Sequence, residues 1–455
     1  MKLNILAAAA ILAAAAIPSI AVAQSRSAYF TDNYTYRFQL NPAFAPEDNF
    51  VSMPGIGNLN IGLNGNVNLK EFIYNVNTAD GSRTATFMHP SVDASTFISG
   101  IKDHNRTGLN TRIGVFAGGF RAFGGYNAIS LNAVANAQIR APRAIFSFLK
   151  EGVKNQTYDI TNFDIHADTY AEIALTHSRD INRQWRVGAA VKLLLGFGNI
   201  DLNLHQATLS LSDDNWTAQT SADVHANYKQ LAYKTTHNRY TGNVYINDVD
   251  FPGYTGVNGL GLAFDLGAQF TLNPSWQFSA AVTDLGFITW YDDMVASTNG
   301  THTFASDDYT IDTKDFDDTW QPIRDQLTTL YELYDQGNQG SRTRALAATI
   351  NLGAQFTLPS YRALSFGLLN TTRIYGRLSS TDFRLSANIR PVSCFSAALN
   401  YGIGTYGSAF GWILNYSHTG FNFFLGMDNT LGRLAKQGVP LTSNAQLSLG
   451  MNFPF

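Results

Sequence analysis

The sequence predicts an all-β fold, a transmembrane antiparallel β-barrel of about 14 strands, or 16, with an N-terminal plug segment in its lumen and short helices in its external loops. Three observations carry this prediction. Apolar and polar residues alternate with period two over many segments, and two is the strand period. Charged residues make up 14% of the chain and aromatic residues 13%, whereas soluble domains hold about 25% charged residues. Beyond the N-terminus no stretch reaches the roughly 18 consecutive apolar residues that a membrane helix needs. The densest run, Val187 to Phe197, is broken by Lys192 and by glycines.

The chain opens on Lys2, an apolar run from Leu3 to Ile17, the breaker Pro18 and the small-residue site Ala21-Val22-Ala23. That order is the pattern of a secretory signal peptide, expected at residues 1–23. No Cys follows the run, so a lipid anchor is not expected. A plug segment is expected at 24–50 and the barrel at 51–455.

The last strand is the plainest. From Ala445 to Phe455 the odd positions are apolar and most even positions are polar or small. One face suits lipid and the other the lumen. Upstream, Phe383, Leu385, Ala387 and Ile389 oppose Asp382, Arg384, Asn388 and Arg390. Ile129 to Ile139 opposes Ser130, Asn132, Asn136, Gln138 and Arg140, and Trp185 to Leu193 opposes Arg186 and Lys192. Leu266-Gly-Ala-Gln-Phe-Thr-Leu272 recurs as Leu352-Gly-Ala-Gln-Phe-Thr-Leu358, a repeated hairpin.

Strands are expected near 53–66, 109–121, 126–140, 168–178, 184–205, 258–272, 276–290, 344–358, 363–376, 381–390, 394–404, 409–417, 420–428 and 444–454. If the first runs outward, the long stretches 70–106, 141–167, 206–257, 291–343 and 429–443 all fall on one side. The turns near 122–125, 179–183, 273–275, 359–362, 391–393 and 418–419 fall on the other. Single-chain barrels have that asymmetry, with short turns periplasmic, so both termini are expected in the periplasm. The stretch 206–257 could hold a further hairpin and raise the count to 16. Asp317-Asp318 could cap a helix with Trp320, Ile323, Leu327, Leu330, Tyr331 and Tyr334 on one face. Pro142 could start a shorter one through Phe148 and Lys150.

No catalytic constellation stands out, and no enzyme activity or cofactor is expected. The 9 His show no metal-ligand spacing. The aspartates between Asp292 and Asp318 lack the spacing and the bend glycine of a calcium loop, so no metal is expected. A net charge of −3 offers no nucleic-acid footprint. The single Cys394 excludes a disulfide framework.

The stretch Ser27 to Phe44 is aromatic and polar without strand alternation. Through its part from Tyr29 to Phe44, the Pro54-Gly-Ile-Gly-Asn58 approach to the first strand and the hairpin repeats, the chain resembles an uncharacterised family of Bacteroidota outer-membrane β-barrels. The triplet Asn41-Pro42-Ala43 resembles one near the N-terminal hatch of fatty-acid transporter (FadL-type) barrels, a group that includes the type IX secretion shuttle barrel. That resemblance implies 14 strands and an outer-membrane location.

Two functions follow as expectations. The first is plug-gated passive uptake of a small hydrophobic molecule. Phe30, Tyr34, Tyr36, Phe38, Asn41 and Pro42 would contribute from the plug, and Trp320, Leu327 and Tyr331 from the outer helix. The alternative is a docking or scaffold barrel for protein secretion or envelope assembly. Expected partners are outer-membrane lipid, the barrel-assembly machinery through the terminal strand ending in Phe455, and a small hydrophobic ligand or a secretion partner.

Overall fold

The computed structural model describes residues 25–78, 81–151, 155–212, 215–239, 241–252, 256–305, 332–430 and 444–455. The expected signal peptide and the expected helix carrying Trp320, Leu327 and Tyr331 lie outside these residues. Fourteen antiparallel strands close into one barrel. They are β1 (Asn58–Gly65), β2 (His104–Ala122), β3 (Gly125–Pro142), β4 (Asp164–Asp180), β5 (Trp185–Leu211), β6 (Gly259–Asn273) and β7 (Trp276–Trp290). There follow β8 (Ala348–Thr357), β9 (Leu364–Ile374), β10 (Ser380–Val392), β11 (Phe395–Gly404), β12 (Gly407–His418), β13 (Phe421–Asn429) and β14 (Ala445–Pro454). The barrel closes because β1 pairs on both edges, Leu59 lying opposite Leu449 of β14 and Ile113 of β2.

The period-two pattern becomes an inside and an outside. In β14, Gln446, Ser448 and Asn452 are buried in the interior, and Leu447, Leu449 and Met451 alternate with them. In β10, Arg384 is 4% exposed, whereas Phe383 and Leu385 are 56% and 63% exposed on the outer face. Ser130, Asn132, Gln138 and Arg140 of β3 are likewise buried. The outer wall is therefore apolar and the inner wall polar.

Short and long connections sort to opposite rims, as the sequence led one to expect. The turns 123–124, 181–184, 274–275, 358–363, 393–394 and 419–420 lie at the rim that also holds Phe455. The long connections lie at the other rim, together with the two tight ones at 375–379 and 405–406. Phe455 sits at the short-turn rim, its amide donating to the Asn49 carbonyl (2.9 Å). The first described residue, Ser25, does not lie at that rim. It is 2% exposed inside the barrel, beside Asp428.

Two strands differ from expectation. The first was expected at 53–66, but Met53–Gly57 leaves the ladder and only Phe50–Ser52 and β1 pair with the neighbours. Pro54 has no amide hydrogen to give, and Gly55 takes a positive φ of 77°. β5 runs on for 27 residues. Its lower part pairs with β6, and its upper part, from Gly198 to Leu211, pairs with Asn215–Tyr228. The stretch 206–257 therefore does supply a hairpin, Ala232–His237 with Val244–Asp250 in a two-stranded sheet of its own, and an extra wall strand, Asn215–Tyr228. That strand extends the wall above β6 and β7 and leaves the barrel at fourteen.

A small lobe sits on the long-connection rim. The hairpin Ile73–Thr78 with Gly81–Thr86, helix α1 (Ala94–Ser99) and helix α2 (Arg143–Glu151) enclose Val76, Val92, Phe97 and Ile101. Phe87 and Phe97 stack with ring centroids 4.3 Å apart. α2 is the helix expected through Phe148 and Lys150. Asp93 caps α1, accepting the Thr96 amide (3.1 Å). The Ser95 hydroxyl and that amide hold its carboxyl below the ordinary carboxylate range.

Inside the wall, charges from different strands brace one another. Arg112 of β2 meets Glu172 of β4 at 2.5 Å. Lys192 of β5 meets Asp284 of β7 at 2.6 Å, Asp265 of β6 at 2.8 Å and Glu172 at 3.5 Å. Three carboxylates are thus held by two cations on the inner wall. Removing one partner from such a cluster leaves buried charge uncompensated, which costs about 3–5 kcal/mol. Lys192→Met should lower barrel stability by about that amount, read as a reduced urea midpoint for the folded barrel in lipid vesicles.

Candidate functional site

The site is the barrel interior, and its first component is the segment from Ser25 to Asn49. Two short 3-10 turns, Arg26–Ala28 and Thr35–Gln39, give it shape. Arg37 braces it from within. Its Nε donates to the Tyr29 carbonyl (3.0 Å), one terminal nitrogen pairs with Asp32 (2.7 Å), and the guanidinium lies 4.3 Å from the Phe44 ring centre.

The segment touches strands all around the barrel, which places it in the lumen. The Asp428 carboxylate of β13 accepts the amides of Arg26 (2.6 Å) and Ser27 (2.7 Å). Tyr29 shares a hydrogen bond with Ser279 of β7 (3.0 Å). Asn351 of β8 donates to the Leu40 carbonyl (3.0 Å), and Asn415 of β12 to that of Asn33 (3.1 Å). Asn58 of β1 donates to Gln39 (3.0 Å).

The triplet Asn41-Pro42-Ala43 has a specific seat. The Asn41 side chain accepts the Ala43 amide (2.9 Å) and closes a tight turn. That turn packs on Gly188 of β5 and Gly267 of β6, which are partners in register. A Cβ on Gly188 would fall on the Pro42 carbonyl, and one on Gly267 on the Asn41 side chain. The two glycines form a notch. Gly267 belongs to the first copy of the hairpin repeat. Gly353, its counterpart in the second copy, makes room for Tyr29 and Phe30.

Above the segment is a chamber of about 1030 Å³, counting its open side. Leu40 and Arg26 of the segment contribute to its lining. The walls are mostly polar, with Asn110, Arg112, His166, Asp168, Asp284, Arg373 and Tyr375 among them. His166 lies between two carboxylates, Asp201 at 2.6 Å and Asp168 at 2.9 Å. Asp201 also holds Arg342 and Arg344, each at 2.9 Å. The Tyr375 hydroxyl comes within 2.9 Å of the same imidazole.

The expected plug residues are all buried, but they face the wall. Tyr34, Tyr36 and Phe38 form one core with Phe50, Tyr126 and Phe424. Phe30 joins Tyr29, Leu40, Phe44 and Leu369 in another. None of Phe30, Tyr34, Tyr36, Phe38, Asn41 and Pro42 lines the chamber. Arg384 pairs with Asp382 at 2.9 Å on the lumen wall, and Arg390 pairs with Glu47 at 2.5 Å. Sequence reasoning missed Arg112, Glu172, Asp265 and Asp284 as a cluster. Asp265 and Asp284 were each the lone charge of their strand, whereas Arg112 and Glu172 sit on strands with other charges and offered no such signal.

Fold and lumen define the class, a closed fourteen-strand β-barrel with an apolar outer face and a filled, polar interior. Within it the chain belongs to DUF5723, a family of unknown function whose model matches residues 42–428. No curated protein matches the sequence. Among solved structures, the chain is similar to the toluene transporter TbuX of Ralstonia pickettii. There the TM-score is 0.41 and the identity 10%, over 92% of this chain and 93% of that one. It is similar to the toluene transporter TodX of P. putida (TM-score 0.37, 8% identity, 90% of each chain). A Pseudomonas aeruginosa FadL homologue is a third (TM-score 0.34, 10% identity, 94% of each chain). At such identity no residue role transfers to this chain.

The notch gives a direct test of the segment's seat. Gly188→Val overpacks it, and overpacking costs about 1–3 kcal/mol. The turn at Pro42 should lift from the wall, so limited proteolysis of the folded barrel should cut within residues 25–49 in the variant and spare the wild type.

Proposed function

We propose that the chain is an outer-membrane barrel for passive uptake of a small molecule, with residues 25–49 closing the short-turn end of its lumen. One observation carries this reading: the chamber has the chain's own N-terminal segment in its lining. The adjoining cavity reaches Gly404–Gly407 on the opposite, long-connection rim. A solute arriving from the long-connection side meets an accessible chamber and then a packed segment. Short turns face the periplasm in barrels of this kind, so the closed end faces inward and the direction is uptake.

The outer face supports the membrane location. Leu175, Leu266, Leu385, Leu399 and Ile403 are among the large apolar side chains that project from it, and water would penalise such a surface. On this reading outer-membrane lipid surrounds the wall, and the terminal strand ending in Phe455 is the part offered to the barrel-assembly machinery.

The cargo is narrowed by the lining. The hydrophobic cargo expected from the sequence rested on aromatic residues of the segment, which pack against the wall, and on Trp320, Leu327 and Tyr331, which lie outside the described residues. A small hydrophobic molecule would find Leu40, Val134, Leu346 and Ala347 in the chamber. The remaining lining favours a solute that also makes hydrogen bonds. A docking barrel has no comparable observation behind it.

Two experiments test the reading. Flux into liposomes should rise at least about tenfold when residues 24–45 are deleted, measured with a monoaromatic hydrocarbon, a small sugar and an organic anion; equal flux through both proteins would sink closure by the segment. Leu385→Arg places a charge in the apolar belt and should cost about 2–4 kcal/mol in lipid vesicles. An unchanged unfolding midpoint would remove the belt from the bilayer.

A further inference from the structure

A second cavity adjoins the chamber, about 420 Å³ counting its open side. The two share Arg26, Asn64, Thr371, Arg373, Ser380 and Tyr406 in their linings. The charges lining the second cavity are unbalanced, with Arg26, Arg373 and Arg384 set against Asp382 alone. Two of these three guanidiniums have protein partners. Arg26 reaches Asp382 at 3.1 Å. Arg384 donates from Nε to the same carboxylate (2.9 Å), and its terminal nitrogens go to Asn400 (2.8 Å), the Asp428 carbonyl (2.8 Å) and Asn429 (3.2 Å).

Arg373 is different. It donates to the Asn110 amide oxygen and forms no ion pair among the described residues. A guanidinium does not shed its proton, so its charge cannot be removed by titration. It has five N–H donors, and one is used. Arg373 is half-buried and lines both cavities, so its remaining donors are open to a solute there.

We propose that the junction of the two cavities binds the oxyanion of a small solute, a carboxylate or a phosphate group, with Arg373 and Arg26 as its cationic contacts. The inference deepens the uptake reading by naming the chemistry of the cargo, and it rests on the chamber being cargo space. Neutral donors stand beside the two arginines. Asn64 accepts from Asn429 through its oxygen (3.3 Å), which keeps its NH₂ group for a ligand. Ser380 and Tyr406 add hydroxyls. The acidic groups of the chamber lie on other strands and are engaged: Asp168 with His166 and Asn136, Asp284 with Lys192 and Arg112. They disfavour an anion near β4 and β7 and direct it toward β9 and β10.

The test is binding to the full, folded barrel in detergent, by calorimetric titration with inorganic phosphate and with succinate, and with arabinose as the neutral control. The expected result is saturable binding of at least one anion, none of arabinose, and weakening as salt rises. Arg373→Gln should weaken binding at least about tenfold, and Arg373→Lys less. Asp382→Asn removes the competing carboxylate and should tighten binding. Folding of every variant is checked by the gel shift of unheated barrel. Absence of anion binding, or equal binding by wild type and by folded Arg373→Gln and Arg26→Gln, overturns the site. Anion binding without liposome flux leaves the site and removes the uptake reading. Flux without saturable anion binding removes the site alone.

Discussion

Closing a sheet of alternating strands commits half of its side chains to an interior, and the rest of this structure follows from how that interior is filled. The outward half is apolar and has little freedom of choice. The inward half is polar, and buried polar groups must find hydrogen-bond partners. Fourteen strands enclose more space than their own side chains occupy. The chain answers with two fillings of different chemistry, a folded-in peptide and a set of cross-strand ion pairs.

The peptide fills by shape. Its aromatic rings meet the wall edge-on, as where Tyr34 and Phe424 stand perpendicular with centroids 4.8 Å apart. The wall yields where the backbone must come close, at Gly188, Gly267, Gly353 and Gly367. The ion pairs fill by charge. Arg112, Glu172, Lys192, Asp265 and Asp284 tie β2, β4, β5, β6 and β7 across the lumen face, so those strands are joined by more than their backbone ladders. Breaking the lysine's contacts would unbalance all three carboxylates at once, which is why its removal is a severe test of the wall.

Much of the barrel was legible because the signals are local. Alternation in Ala445–Phe455 or around Leu385 needs only a neighbour two residues away, and turn length needs only the gap between strands. What stayed hidden depends on register. Nothing near Gly188 announces that it will stand beside Gly267, and nothing near either announces that Asn41-Pro42-Ala43 will sit on both. The hairpin repeat was visible, but its glycine became meaningful only once Gly267 and Gly353 faced the segment. The first strand went wrong at Met53–Gly57 because the apolar spacing continues through a proline and a positive-φ glycine that take the backbone out of the ladder. Aromatic residues from Phe30 to Phe38 marked the segment correctly as unusual. Composition alone does not say whether a ring meets a ligand or a wall.

The two fillings also divide the lumen. The peptide occupies the short-turn side, where glycines and small polar residues let its backbone approach. The charges lie at mid-wall and beyond it, where side chains from several strands surround open space. Packing by shape resists displacement, because lifting the turn at Pro42 empties a notch that nothing else fills. Packing by charge leaves room, because ion pairs hold the wall apart while satisfying one another. Arg26 stands at the boundary between the two. Its amide is fixed by Asp428 as part of the peptide, and its guanidinium reaches Asp382 in the cavity lining. Arg26 and Leu40 are thus the residues of the segment that also line the chamber, and of the two only Arg26 carries charge into it.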